Sequence, residues 1–202
     1  MYSIDPKEQQ ERDNYKLMTG AIIPRPVAFV TTKSTEGVVN AAPFSYFNIV
    51  SANPPLISVS IQRKNGVQKD SAKNIADTKQ FAVHVTTEHI VEDVNQTAAP
   101  LAHNDSEMRF TDFTLVESDV IDVPGVAQAK FWMECTLEQH ITNEQYPTFD
   151  LMIGKVERFH IDETYYDVDN GHVDATGLQA ISRLAGNDYA KVGEQFTLER
   201  PK

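Results

Sequence analysis

The sequence predicts a mainly β protein with inserted helices, folded as one antiparallel barrel domain over residues 1–202. Three observations carry that expectation. Apolar, partly β-branched runs of strand length recur at residues 27–32, 56–61, 80–85, 131–141 and 149–161. Prolines, glycines and asparagines punctuate the intervals between them. Helical stretches are too few and too irregularly spaced for repeated βαβ units, and no G-x-G-x-x-G follows the first strand, which argues against a parallel doubly wound sheet.

The elements follow in order. Asp5-Pro6-Lys7-Glu8 puts a capping residue before a proline at a first helical position, so a helix is expected over residues 6–18, ended by Thr19-Gly20. Pro24-Arg25-Pro26 favours extended backbone and leads into a buried strand at 27–32. Glu36-Gly37 reads as a hairpin turn into Val38-Val39-Asn40, and residues 40–48 read as a constrained loop. Asn53-Pro54-Pro55 breaks the chain before residues 56–61, whose alternation suits a half-buried strand and makes three strands by Ile61. Residues 69–77 have helical spacing, 80–85 return to strand character, and a second helix is expected over 89–98. After an irregular stretch around Asp122-Val123-Pro124-Gly125, two long strands at 131–141 and 149–161 flank a loop at 143–147.

With 202 residues and 41% hydrophobic content, the chain can bury an ordinary core without metals or disulfides. A formal charge of -11 repels phosphate polymers and anionic headgroups, so nucleic-acid and membrane partners are disfavoured. The single cysteine, Cys135, excludes an internal disulfide. The first sixteen residues lack the apolar core of a signal peptide, no run approaches the roughly 18 residues of a spanning helix, and a cytoplasmic setting is expected. No repeat or Gly/Ser linker marks a domain boundary.

Two segments can carry chemistry. Asn40-Ala41-Ala42-Pro43-Phe44-Ser45-Tyr46-Phe47-Asn48 combines small residues, a proline and amides, so a planar group could approach its backbone closely. The plainer reading is a barrel corner with Phe44 and Phe47 in the core. Arg63-Lys64, followed by Lys69-Asp70-Ser71-Ala72-Lys73-Asn74 at a helix start, supplies cations, a hydroxyl and free amides suited to a phosphate monoester. Its plainer reading is a solvated helix face with Asp70 or Ser71 as the cap. His84, His89, His103, His140, His160 and His172 show no H-x-x-x-H or H-E-x-x-H spacing, so no metal site is expected. Cys135 reads as a core residue, Asn170-Gly171 as a turn, and neither Ser118 nor Ser182 has a G-x-S-x-G setting.

Thr19-Gly20-Ala21-Ile22-Ile23-Pro24-Arg25-Pro26-Val27-Ala28-Phe29-Val30-Thr31-Thr32, followed by Gly37-Val38-Val39-Asn40-Ala41-Ala42-Pro43-Phe44-Ser45-Tyr46-Phe47, resembles the flavin-reductase-like family that includes flavoredoxins. The spacing to Pro54-Pro55-Leu56 and Lys69-Asp70-Ser71-Ala72-Lys73-Asn74-Ile75 is similar, as is Arg183-Leu184-Ala185-Gly186-Asn187-Asp188-Tyr189-Ala190 near the end. The resemblance implies an FMN-binding split β-barrel, a homodimer with flavin sites near the subunit interface, and a C-terminal extension closing the site. It places the flavin ring against Asn40, Ala41, Ala42, Pro43, Phe44, Ser45 and Phe47, with Arg25, Pro26 and Val27 beside it. It places the phosphate near Thr31, Thr32, Arg63, Lys69 and Ser71, with Asn74 and Tyr189 as neighbours. The implied activity is flavin reduction by NADH or NADPH with onward electron transfer. The alternatives are a flavoredoxin-like protein that exchanges electrons with a redox partner without nicotinamide turnover, and a split-barrel protein that has lost its flavin. No acid, base or nucleophile is called for, and Arg25 is the electrostatic candidate; its plainer reading is an ion pair with a carboxylate.

Overall fold

Seven antiparallel strands form the barrel wall in a computed structural model that describes residues 1–99 and 105–201. In chain order the elements are α1 (Glu11–Ala21), β1 (Arg25–Pro26), β2 (Ala28–Lys33), β3 (Val39–Phe44), β4 (Phe47–Ala52), β5 (Pro55–Gln62), α2 (Asp70–Thr78), β6 (Gln80–Val85) and α3 (Val91–Gln96). Short β7 (Leu115–Val116) and β8 (Gly125–Val126) precede the long β9 (Phe131–Ile141) and β10 (Phe149–Ile161). The chain finishes with β11 (Tyr166–Asp167), β12 (His172–Val173), α4 (Ala175–Leu178), β13 (Ile181–Arg183) and β14 (Tyr189–Lys191).

The strand order β3-β2-β6-β9-β10-β5-β4 explains the architecture. β3 and β4 are consecutive in sequence but lie at opposite edges of the sheet, and only Ser45 and Tyr46 separate them. That short link forces the edges together at one corner, where Ser60 N donates to Tyr46 O at 2.8 Å. β3 and β4 do not pair with each other, so the barrel closes there as a split one.

Alternation puts Ala28 and Val30 of β2 inside with Val59, Ile61, Phe81, Val83, Cys135 and Met152. Ala72 and Ile75 of α2 join this interior cluster. Gly154 is required by close packing: a Cβ there would lie 2.3 Å from Phe81 Cζ. The opposite face of β2 is buried too, with Phe29 packed among Ile90, Val94 and Val126. Two-sided burial is why residues 27–32 read as a continuous apolar run. His84 sits in this layer, with Nδ1 2.9 Å from Phe29 O and Nε2 accepting from Val126 N at 3.0 Å. Complete burial drops its pKa to about 4, fixing a neutral ring. Burial likewise pushes the Cys135 thiol up, as expected of a core cysteine.

Several expectations change. The N-terminal helix is not continuous over 6–18: Asp5 accepts from Lys7 N but caps only a single 3-10 turn at Pro6–Glu8, and α1 starts at Glu11. Thr19-Gly20 does not end α1. The Thr19 hydroxyl donates to Tyr15 O (2.8 Å) inside the helix, and Pro24 halts the chain beyond Ala21. Residues 40–48 are strand at all but Ser45 and Tyr46, rather than loop: β3 runs through Phe44, and β4 was unforeseen, so five strands stand before residue 63. Pro43 is tolerated because β3 is an edge strand and needs no outward donor. The second helix is shorter than 89–98, at Val91–Gln96, and His103 lies outside the described residues. Strands at 80–85, 131–141 and 149–161 match their expected bounds, and Asn170-Gly171 turns β11 into β12 with Gly171 at φ +68°.

Candidate functional site

Two clefts are lined in part by the corner at residues 44–47. The first, of ≈ 520 Å³, is walled by Asn40, Ala42, Pro43 and Phe44 of β3 and by Lys64, Gln68, Lys69, Asp70 and Ser71 leading into α2, with Glu107 on its margin. Lys69 Nζ lies 5.8 Å from the centre of the Phe44 ring, and burial, with Lys64 nearby, pulls its pKa below the usual lysine value. The Asn40 amide is 2.8 Å from Ser71 Oγ and, turned with its nitrogen toward Glu107, donates to both carboxylate oxygens at 3.0 and 3.2 Å. Ala41 N approaches Glu107 Oε2 at 3.3 Å. Two lysines and the first turn of α2, whose amide hydrogens point outward, suit an anionic oxygen cluster.

The second cleft, of ≈ 390 Å³, is mainly apolar. It lies between Met18 of α1, Ile22 just beyond it, Pro26, Tyr46, Phe47 and Leu151, with Ser45, Ser58 and Ser60 supplying hydroxyls. Arg25 forms part of its wall and is only 7% exposed. One guanidinium nitrogen donates to Thr19 O (2.7 Å) and Ile22 O (2.5 Å), the other to Leu184 O (2.7 Å). This cation therefore ties the C-terminal end of α1 and the β13–β14 hairpin to β1, a placement the helix dipole favours. Its plainer reading, an ion pair, is replaced by three carbonyls. Arg25 Nε is buried without an acceptor among the described residues.

The structure sorts the expected site residues. Asn40, Ala42, Pro43, Phe44, Lys69 and Ser71 share the first cleft, and Arg25, Pro26, Ser45 and Phe47 share the second. Ala41 turns to the other face of β3, in the layer of Phe29. Val27 is buried and its carbonyl accepts from Thr86 N. Thr31 donates to Pro124 O (2.7 Å), while Thr32 accepts from Asn74 Nδ2 (3.1 Å); both threonines are fully buried. Arg63 gives two hydrogen bonds to the buried Asp150 (2.8 and 2.7 Å), which Gln68 and His140 also reach. Those donors, opposing burial, hold the Asp150 carboxyl below the usual range. Tyr189 meets Asn95 Oδ1 at 3.3 Å and lines neither cleft. Sequence reasoning grouped Lys64 with Arg63 as a phosphate-suited cation and held Tyr46 within the candidate 40–48 segment, and it missed Gln68, Ser58, Ser60, Leu151 and Glu107. No local pattern marks Glu107, which meets β3 from 66 residues away.

Asp119, Glu134 and His160 also come together. Glu134, fully buried, accepts from the backbone of Asp119, Val120 and Ile121 and lies 2.6 Å from His160 Nε2. His160 stacks on Trp132 at 3.8 Å. These bonds occupy the carboxylate and pin residues 119–121 to the barrel; the geometry is that of an anchor.

Comparison with known proteins matches residues 19–175 to the family model described as flavin reductase like domain. A Bacillus subtilis (strain 168) protein designated YwrF is 50% identical, with 100% of both chains covered. Nitrilotriacetate monooxygenase component B from Bacillus cereus superposes with a TM-score of 0.95 at 55% identity, covering 98% of each chain. The 2-nitrobenzoate 2-nitroreductase NbaA of Pseudomonas fluorescens gives 0.89 at 30% identity, covering 99% of this chain and 96% of the other. The domain match and these full-length likenesses agree with the split barrel: the chain belongs to the flavin reductase like domain family.

Proposed function

We propose that this chain is an FMN-dependent oxidoreductase in which NADH or NADPH reduces the flavin and a further acceptor takes the electrons. The observation that carries the reading is that a lysine-lined cleft and an apolar cleft both draw lining residues from the corner at residues 44–47. That arrangement suits a ligand with a terminal phosphate at one end and a flat, largely apolar ring at the other. The uncommitted Nε–H of Arg25 in the apolar wall is a second point of fit, since a buried donor gains most from a ligand acceptor. The similar proteins, a monooxygenase component and a nitroreductase, act in redox chemistry, which supports the same class.

Lys64, Lys69 and the amides of the first α2 turn would hold the phosphate, and one such cluster, of the size of a terminal phosphate, fits FMN. Phe47, Tyr46 and Met18 would exclude water from the ring, and Ser45, Ser58 and Ser60 offer hydroxyls along its edge. When bound, FMN supplies the hydride and electron chemistry. The chain's own contribution is orientation, dryness and the fixed charge of Arg25, which favours an electron-rich ring over an oxidised one.

A homodimer belongs to this proposal. Tyr15, Leu17, Met18, Ile22 and Ile23, on α1 and the turn that follows it, are exposed, Met18 and Ile22 among them line the apolar cleft, and edge strand β4 exposes Ile49 (77%) and Val50 (51%). A second copy covering these surfaces would bury both the apolar residues and the unpaired strand edge.

The test is anaerobic titration of FMN-reconstituted protein with NADH and NADPH, following the visible flavin band. Bleaching on the timescale of turnover is expected. Bound flavin reduced only by dithionite would replace the reductase reading with that of an electron-transfer protein, and failure to retain FMN would reject the flavin site.

A further inference from the structure

Glu107 is the least expected member of the phosphate-sized cleft. It lines a pocket whose other polar groups are suited to an anion, its carboxylate accepts from Asn40 and Ala41 of β3, and it is 91% buried. β3 contributes no titratable side chain opposite it, only Asn40, Ala41 and Ala42. From the α2 side come Lys64, Lys69 and Asp70; Lys73 is occupied by Asp77. On its own segment, Asp105 is paired with Arg109. The lining thus includes the lysines Lys64 and Lys69 and the acids Asp70 and Glu107, and Asp70 is itself partnered.

With Glu107 ionised, its buried carboxylate would repel the oxygens of an incoming phosphate dianion and offset part of the attraction of Lys64 and Lys69. Two ways out exist: the ligand binds away from Glu107, or Glu107 gives up its charge. Its environment favours the second. Burial pushes the Glu107 carboxyl above the usual range; Asp70 and Asp105 add to that rise, and the amides of Ala41 and Glu107 itself only partly oppose it. Protonation would convert an acceptor-only group into one with an O–H donor, which a phosphate oxygen can accept.

We propose that Glu107 couples proton uptake to phosphate binding: as an anion it braces Asn40 and β3 in the empty cleft, and on binding it takes up a proton and donates to the phosphate. This rests on the FMN reading above and adds a regulatory property to the same cleft. The consequence is affinity that falls as pH rises, by up to tenfold per pH unit wherever about one proton is taken up. Riboflavin, without a phosphate, should show no such dependence.

The experiment is calorimetric titration of apo-protein with FMN at about pH 7.5, above the second ionisation near ~6 of a phosphate monoester. Measurements in buffers of different ionisation enthalpy give the proton count. Wild type should take up close to one proton per FMN and none with riboflavin. Glu107→Gln, which keeps the shape and a donor, should bind FMN with a proton count near zero and a flattened pH profile. Lys69→Met should bind more weakly but keep the wild-type count. A wild-type count of zero overturns the proposal, as does uptake that persists in Glu107→Gln or vanishes in Lys69→Met. Should Glu107→Gln not fold, the wild-type and Lys69→Met counts decide. Absence of any FMN binding by wild type would instead reject the flavin reading itself.

Discussion

Replacing Arg25 with alanine removes three hydrogen bonds from one buried cation. The carbonyls of Thr19, Ile22 and Leu184 lose their guanidinium donors together, and the C-terminal hairpin loses its link through Arg25, 159 residues from Leu184 in sequence, to the end of α1. Charge-assisted hydrogen bonds contribute about 1.5–3 kcal/mol each, but three bonds on one side chain are not additive and water can reach a partly exposed carbonyl. A loss of about 4 kcal/mol is therefore expected, or about 10 °C in melting temperature for a domain of this length. Arg25→Lys should recover only part, because a single ammonium cannot reach both the Thr19–Ile22 pair and Leu184 in the manner of a planar fork. If Arg25 also faces the flavin, Arg25→Ala lowers the midpoint potential, with roughly 30 mV for each 1.4 kcal/mol of lost preference for the reduced ring. Thermal unfolding of the apo-protein isolates the structural role, and FMN affinity and potential of the reconstituted variant isolate the other. An unchanged melting temperature would refute the anchoring argument; a lowered one with wild-type affinity and potential would refute the flavin role.

Three further outcomes are expected. His84 is buried neutral with a pKa of about 4 against 6.5 in an unfolded chain, so its contribution is complete above 6.5 and is lost as pH falls. The unfolded state gains the proton first, costing about 2 kcal/mol by about pH 5 and about 3 kcal/mol below pH 4. Urea midpoints measured across that range should fall less steeply for His84→Gln than for wild type, and parallel slopes would exclude His84 as the source. Gly154→Ala should destabilise by about 1–3 kcal/mol through collision with Phe81, and Phe81→Leu in the same chain should relieve part of the loss in chemical denaturation. Light scattering should give about twice 22.7 kDa, and Ile49→Glu on the β4 edge should shift the protein toward monomer; a wild type that is monomeric with FMN bound would count against the dimer.

Much of the wall of the barrel was legible because its signals are local. The strands at 80–85, 131–141 and 149–161 announce themselves by runs of apolar and β-branched residues bounded by breakers, and Asn170-Gly171 needs only its own backbone preference to turn the chain. The family was legible as well, since its motifs lie in order along the sequence. Which side chains face a cleft was not. Thr31 and Thr32 sit beside each other in a recognised strand, yet each is consumed by a distant partner, Pro124 O for one and Asn74 for the other. Arg63 and Lys64 look equivalent as a basic pair, but Asp150, 87 residues on, captures the first, while the second lines the cleft.

The sequence by itself determined a mainly β domain, the positions of its long strands, the resemblance to flavin-reductase-like proteins and a cationic helix start at residues 69–71. Only the tertiary structure decided that residues 40–48 are two edge strands joined by Ser45 and Tyr46, that Arg25 is tied to three carbonyls, and that Glu107 joins the lysine-lined cleft. The reason is physical: periodicity and turn chemistry act over a few residues, whereas the fate of a polar side chain is set by strand register and by which buried acceptor, remote in sequence, claims its hydrogen bonds.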